Sequence, residues 1–158
     1  MRLGYLDCTA GVAGDMCLGA LLDCGVPRDY LESHLDRLGL ATELRVHTVE
    51  RQGVTATQVL IDMPPEQPAR HWPEIVAILE KAELPAPVFE RSLAVFRALG
   101  EAEASVHRVP LEKVHFHEVG AVDAIVDIVG TCLGMTWLKL DRLMASPHPI
   151  GGGWVRAA

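Results

Sequence analysis

The sequence predicts an α/β fold, with α+β as its variant: a single compact domain, residues 1–158, in which a small mixed sheet is flanked by helices. Three observations carry this expectation. Segments with an apolar residue at every second position alternate with longer segments that repeat every three to four residues. Gly25-Val26-Pro27, Gln52-Gly53 and Pro85-Ala86-Pro87 punctuate them. A chain of 158 residues, 49% hydrophobic and 22% charged, is also long enough to bury a core of its own.

Taken in order, Arg2–Asp7 reads as a short strand with Leu3, Tyr5 and Leu6 as its apolar content. The turn Cys8–Gly14 leads into an apolar helix over about Asp15–Cys24. Gly25 suits the residue after a helix end, and Pro27 suits the start of the next. That second helix, about Arg28–Leu38, carries Tyr30, Leu31, Leu35 and Leu38 on one face. Between Glu43 and Met63 the period drops to two on both sides of Gln52-Gly53, which predicts a hairpin. Pro64–Pro68 is a loop, and a helix follows over Pro73–Ala82. The amphipathic segment Val88–Val106 turns Phe89, Leu93, Phe96 and Leu99 inward. His115–His117 is extended and runs into a mostly apolar helix, Val119–Lys139. Arg142–Ala145 closes the set as a short strand ahead of a Pro/Gly-rich stretch.

Charge narrows the function classes. Fourteen Lys and Arg stand against twenty-one Asp and Glu, a net charge of −7, and no basic run interrupts the balance. Nucleic acid and anionic membrane are therefore poor partners. Cys8, Cys17, Cys24 and Cys132 form no CxxC pair and lie in apolar stretches, which predicts buried free thiols in a reducing compartment rather than a zinc site. Neither a signal peptide nor an apolar run near 20 residues occurs, so a cytoplasmic protein is expected.

Three features could carry chemistry. Asp7-Cys8-Thr9-Ala10-Gly11-Val12-Ala13-Gly14-Asp15 joins a strand to a helix start through glycines, which let backbone amides approach an oxyanion. It matches neither nucleotide-binding glycine motif. Asp15 either caps the helix or joins Asp7, at the end of an apolar strand, in a cation site. In the second feature, His115 and His117 share one side of an extended segment while Phe116 faces the core; with Glu118 they are ligands suited to a borderline divalent metal, or a surface coincidence. In the third, Asp123 and Asp127 stand one turn apart on a helix whose Val122, Ile125, Val126, Val129 and Leu133 form an apolar face. Carboxylates there need amides, a cation or a metal, or an arginine such as Arg108 or Arg142. His71 reads either as a ligand or as a helix-start residue.

Two of these stretches resemble a known family. Tyr5–Met16 and Val114–Gly130 are similar to the opening and central motifs of the LarC-type nickel insertion proteins, and Ser146-Pro147 with Ile150–Gly153 is similar to a third segment. The resemblance implies a protein that places nickel in pyridinium-3,5-bisthiocarboxylic acid mononucleotide. The product is the nickel-pincer cofactor of lactate racemase, whose apoenzyme is the recipient. It further implies CTP hydrolysis with manganese or magnesium. Metal binding would fall to His115, His117, Glu118, Asp123 and Asp127, and precursor or cofactor binding to Asp7, Gly11, Gly14 and Asp15. The sequence departs from the pattern twice. Only His71 remains of the histidine-rich tract that family members carry before the helix near Trp72. The family also continues into a C-terminal CTP-binding domain, so this chain resembles the N-terminal domain, with an exposed apolar surface and a homo-oligomer as expectations. Two other classes stay open on the residues alone: a scaffold whose acids and histidines satisfy one another, and a divalent-metal phosphohydrolase.

Overall fold

The computed structural model describes residues 1–64, 68–116, 120–149 and 152. Its elements run β1 (Leu3–Leu6), α1 (Gly14–Asp23), α2 (Arg28–Leu35), a 3₁₀ turn at Asp36–Leu38, β2 (Glu43–Arg51), β3 (Val54–Asp62), β4 (Arg70–His71), α3 (Trp72–Lys81), α4 (Ala86–His107), a 3₁₀ turn at Leu111–Lys113, β5 (His115–Phe116), α5 (Val122–Trp137) and β6 (Arg142–Ala145). Residues 65–67 of the proline loop, His117, Glu118 and Val119 of the central motif, and residues 150–151 and 153–158 lie outside the described residues.

The mixed helix-and-strand class holds. The strands form three separate pairs rather than one mixed sheet: β1 with β6 parallel, β2 with β3 antiparallel, and β4 with β5 antiparallel. Gln52 and Gly53 both take positive φ, 50° and 80°, the geometry of the turn whose twist matches a two-residue hairpin loop. The hairpin register sets Leu44 opposite Ile61 and Val46 opposite Val59, so their apolar side chains fall on one face.

α5 is the axis of the core. Val122, Ile125, Val126, Val129 and Leu133 are all buried. Each such side chain contributes about 1.5–3 kcal/mol when fully buried. Its glycines receive α1: a Cβ on Gly130 would stand 2.7 Å from Leu18, and one on Gly134 would stand 2.7 Å from Leu21. At the near end the lack of a side chain on Gly14 makes room for Asp127. These contacts advance along both helices together, so α1 and α5 run side by side in one sense and their N-termini share one end. On its other side, α1 brings Gly19 against the Thr57 carbonyl of β3, where Thr57 Oγ1 donates to Asp23 at 2.5 Å.

Two expectations change. α4 buries Val88, Ser92, Phe96 and Gly100, while Leu99 is 37% exposed. The inward stripe is shifted because Gly100 admits Leu111 and Phe116, which a larger residue would exclude. Of the four cysteines only Cys8 and Cys132 are buried; Cys17 is half-buried and Cys24, which follows α1, is exposed. No helix among the described residues is long and apolar enough to cross a membrane.

The contact between α1 and β3 yields a direct test. Gly19→Ala drives a methyl group into the Thr57 backbone carbonyl, which cannot swing aside as a side chain would. The expected cost is about 1–3 kcal/mol, read as a lower urea midpoint at unchanged slope.

Candidate functional site

Parallel strands followed or preceded by helices leave a crevice at their carboxyl ends, where backbone amides and helix N-termini point outward. Here β1 and β6 end together: the Cys8 amide donates to Ser146 Oγ at 2.8 Å, and the Ser146 amide donates to the Leu6 carbonyl at 2.9 Å. The turn after β1 is tight. Gly11 takes φ 90° and its amide donates to the Cys8 carbonyl at 2.9 Å. An L side chain is strained at that φ, which explains the glycine. Asp7 is exposed rather than poorly solvated, because it lies past the last strand residue, and its Oδ1 accepts from the Thr9 amide at 3.2 Å.

Both helix starts bring acids to this end. Asp15 lies in the first turn of α1 and Asp123 in the first turn of α5, where the positive end of the helix dipole favours them. Neither residue is the N-cap, since Ala13 and Ala121 hold those positions, but each acid satisfies a first-turn amide of its helix: the Met16 amide donates to Asp15 Oδ1 and the Ala124 amide to Asp123 Oδ1, both at 2.8 Å. Asp127 is the exceptional group. It lies one turn further into α5, half-buried against Gly14, and its Oδ1 is shielded from solvent with no hydrogen-bond partner among the described residues. Burial, then the nearby charges of Asp15 and Asp123, push its carboxyl up from 3.8 to about 6. The same surplus of negative charge reaches Cys17, whose thiol is raised by burial and then by Asp127, Cys8 and Asp15. Among the described residues no ion pair involves Asp127, so neither Arg108 nor Arg142 neutralises it.

Two hollows adjoin these groups. One of about 120 Å³ lies over the turn, lined in part by Asp7, Cys8, Gly11 and Cys17. A larger apolar groove of about 480 Å³ runs between α4 and α5, with Asp127 and Gly14 among its lining residues and Arg91 supplying its basic group. That volume lies within the range of small-molecule sites. The arrangement can attract a cation to the acids and hold an apolar ring beside them.

Histidine chemistry gathers elsewhere around the start of α5. β4 pairs with β5 so that His71 stands directly opposite His115, with ring centroids 3.9 Å apart. His71 lies 44 residues from its partner (115 − 71), so no local spacing reveals the pairing. His117 and Glu118 lie outside the described residues. Among the described residues, no three His, Cys, Asp or Glu side chains stand close enough together to hold a metal ion. The structure thus brings Asp15, Asp123 and Asp127 into one electrostatic group, Asp7 and Gly11 onto the neighbouring turn, and His115 to the β4–β5 pair.

The family model described as nickel insertion protein matches residues 4–158. Relatives named for nickel insertion include one from Synechococcus sp. strain JA-3-3Ab, 58% identical over 98% of this chain and 40% of its own length. Another, from Synechococcus sp. strain JA-2-3B'a(2-13), is 55% identical over 98% of this chain and 41% of its own length. A third, from Gloeobacter violaceus, is 51% identical over 100% of this chain and 38% of its own length. The chain therefore spans about two fifths of the length of these curated relatives. No solved structure matches it.

Asp127 predicts a pH signature. Its folded-state pKa, about 6, lies above the ordinary 3.8. The folded chain therefore holds a proton that the unfolded chain releases, and stability falls as pH rises through that window. Asp127→Asn removes the charge at unchanged shape. Its Tm is expected to exceed wild type by several degrees at pH 7.5, and the gap is expected to close near pH 4. A gap that does not vary with pH contradicts the assignment.

Proposed function

The chain belongs to the nickel insertion protein family, and on that premise we propose that it binds nickel and the organic precursor of a nickel cofactor in the crevice at the ends of β1 and β6. The observation that supports this most is Asp127: a carboxyl whose shielded Oδ1 has no partner, and which has no neutralising ion pair, among the described residues, with the charges of Asp15 and Asp123 nearby. A divalent cation supplies the missing charge and displaces the proton from Asp127, since a carboxylate must be ionised to ligate a metal. Asp123 and Asp127 are the carboxylate ligands in this reading, with Asp15 adding attraction from the start of α1. His115, His117 and Glu118 are further metal donors that the motif resemblance implies, His115 standing on β5 apart from these acids.

The motif resemblance supports the finer assignment. The substrate is pyridinium-3,5-bisthiocarboxylic acid mononucleotide. The product carries one carbon–nickel and two sulfur–nickel bonds and is delivered to a lactate racemase-type apoenzyme. The reaction is CTP-dependent with manganese or magnesium, has the character of a lyase, and takes place in the cytoplasm. The apolar groove beside Asp127 suits the flat ring of that precursor, and Arg91 suits its anionic groups. Gly14 lines that groove and Asp7 and Gly11 line the smaller hollow over the turn; with Asp15, these are the residues the motif resemblance assigns to the precursor. The CTP-dependent step belongs to the longer protein, of which this chain corresponds to about two fifths.

Nickel added at pH 6 is expected to release protons and raise the Tm of the wild type, and Asp127→Asn is expected to lose most of the proton release. Precursor binding, followed by its absorbance, is expected to weaken about tenfold in Arg91→Ala. A Tm indifferent to nickel and to chelator would favour a scaffold role. Phosphatase activity with magnesium, without precursor or CTP, would favour a phosphohydrolase.

A further inference from the structure

We propose that the open edge of β1 receives a strand from the part of the nickel insertion proteins that lies outside the stretch matched here, so that this chain and the remainder of the longer protein share one sheet. The proposal uses the family membership and does not depend on the nickel or precursor reading above.

Successive peptide groups of a strand point to opposite sides, so half of those in β1 are spent on β6. The Arg2 carbonyl accepts from the Arg142 amide at 3.4 Å, and the Leu6 carbonyl accepts from the Ser146 amide at 2.9 Å. By the same alternation the amides and carbonyls of Leu3 and Tyr5 point to the other edge. Among the described residues β1 pairs with β6 alone. Natural sheets shield such an edge with charge, proline or a bulge. The strand reads Leu3-Gly4-Tyr5-Leu6 and has neither charge nor proline.

The helix beneath that edge is also unfinished. β6 lies over α4 and α5, where Leu143 lines the apolar groove with Val95 and Ile128. β1 therefore has its free side over α1. Leu18 and Leu21 of α1 are buried against α5, and Gly19 meets β3. Met16, Ala20 and Cys24 fall on a third face at a spacing of four residues, and all are exposed. A helix apolar on so many sides belongs in an interior. A hollow of about 320 Å³ opens between β1 and this face, with Leu6, Cys17, Ala20 and Cys24 in its lining. Inward side chains of an added strand would fill it.

The outer face of the pair points the same way. Tyr5 stands opposite Met144 in register; they are 65% and 55% exposed, and Leu3 is 52% exposed. Parallel sheets occur almost only with both faces covered.

The length of the relatives identifies the occupant. This chain accounts for about two fifths of each, so some three fifths of their chain has no counterpart in the fold described here. A strand from the same polypeptide pairs at a high effective concentration, whereas a second copy must first associate. In either direction the added strand brings one end to the crevice beside Asp7 and Asp15, where the remainder then contributes residues.

The test is residue-resolved hydrogen exchange on this chain and on the full-length Gloeobacter violaceus relative, whose match covers all of this chain. Gly4 and Leu6, bonded to β6, are the internal reference for a folded pair. In this chain the Leu3 and Tyr5 amides are expected to exchange about a hundredfold faster than that reference. In the full-length relative the aligned amides are expected to be as protected as their neighbours. Fast exchange there overturns the proposal. Protection already present in this chain, with a dimer in sedimentation, overturns it in favour of a second copy. Tyr5→Lys keeps the backbone amide and is expected to leave the Tm of this chain unmoved. Lysine at the aligned position of the full-length relative is expected to lower its Tm by several degrees, and equal effects in the two proteins would contradict the shared sheet.

Discussion

The close approach of α1 to α5 is the constraint on which the rest of the molecule depends. It is made possible by what is absent: side chains at Gly14, Gly130 and Gly134, where Asp127, Leu18 and Leu21 take the space. Because the contacts keep step along both helices, their N-termini arrive together at the carboxyl ends of β1 and β6. The large apolar face of α5 supplies the driving force. Five fully buried aliphatic side chains outweigh the penalty of one half-buried carboxyl several times over. Asp127 is therefore carried into an unfavourable place by the packing of its neighbours. That is how a fold can hold a group poised for chemistry.

Electrostatics follows from that placement. Asp15 and Asp123 each occupy a favourable position in a first helical turn. Their convergence places both near Asp127, to which neither lends stability. Helix dipoles soften this repulsion at the ends but fall off within a turn, and Asp127 lies one turn inside. The resulting demand for positive charge is local, although the whole chain is also acidic at −7. A cation would answer it, and the apolar groove on the other side of Asp127 offers an organic ligand a place next to that cation.

The histidines obey a different logic. β4 and β5 are only two residues long and neither would persist alone. Trp72 and Phe116, both buried, hold them in place, and the imidazoles lie on the strand residues beside those anchors.

The sequence by itself determined most of the elements, though not β4 at Arg70–His71, and most of their apolar faces. Gln52-Gly53 specified the hairpin, the 3.6-residue period specified α1, α3 and α5, and Arg142–Ala145 was a strand as read. These are local matters of turn geometry, periodicity and capping, and the pairing of Asp123 with Asp127 on one helix was equally legible. Tertiary structure alone decided the rest. It rotated the inward face of α4 toward Gly100, because only packing reveals that Phe116 and Leu111 need that space. Asp7 was left in solvent and Asp15 was brought to Asp127. His71 was set against His115 across 44 residues of chain (115 − 71). Periodicity reports which side of an element is apolar. It carries no record of which distant element that side will meet, and the candidate sites of this protein are built from such meetings.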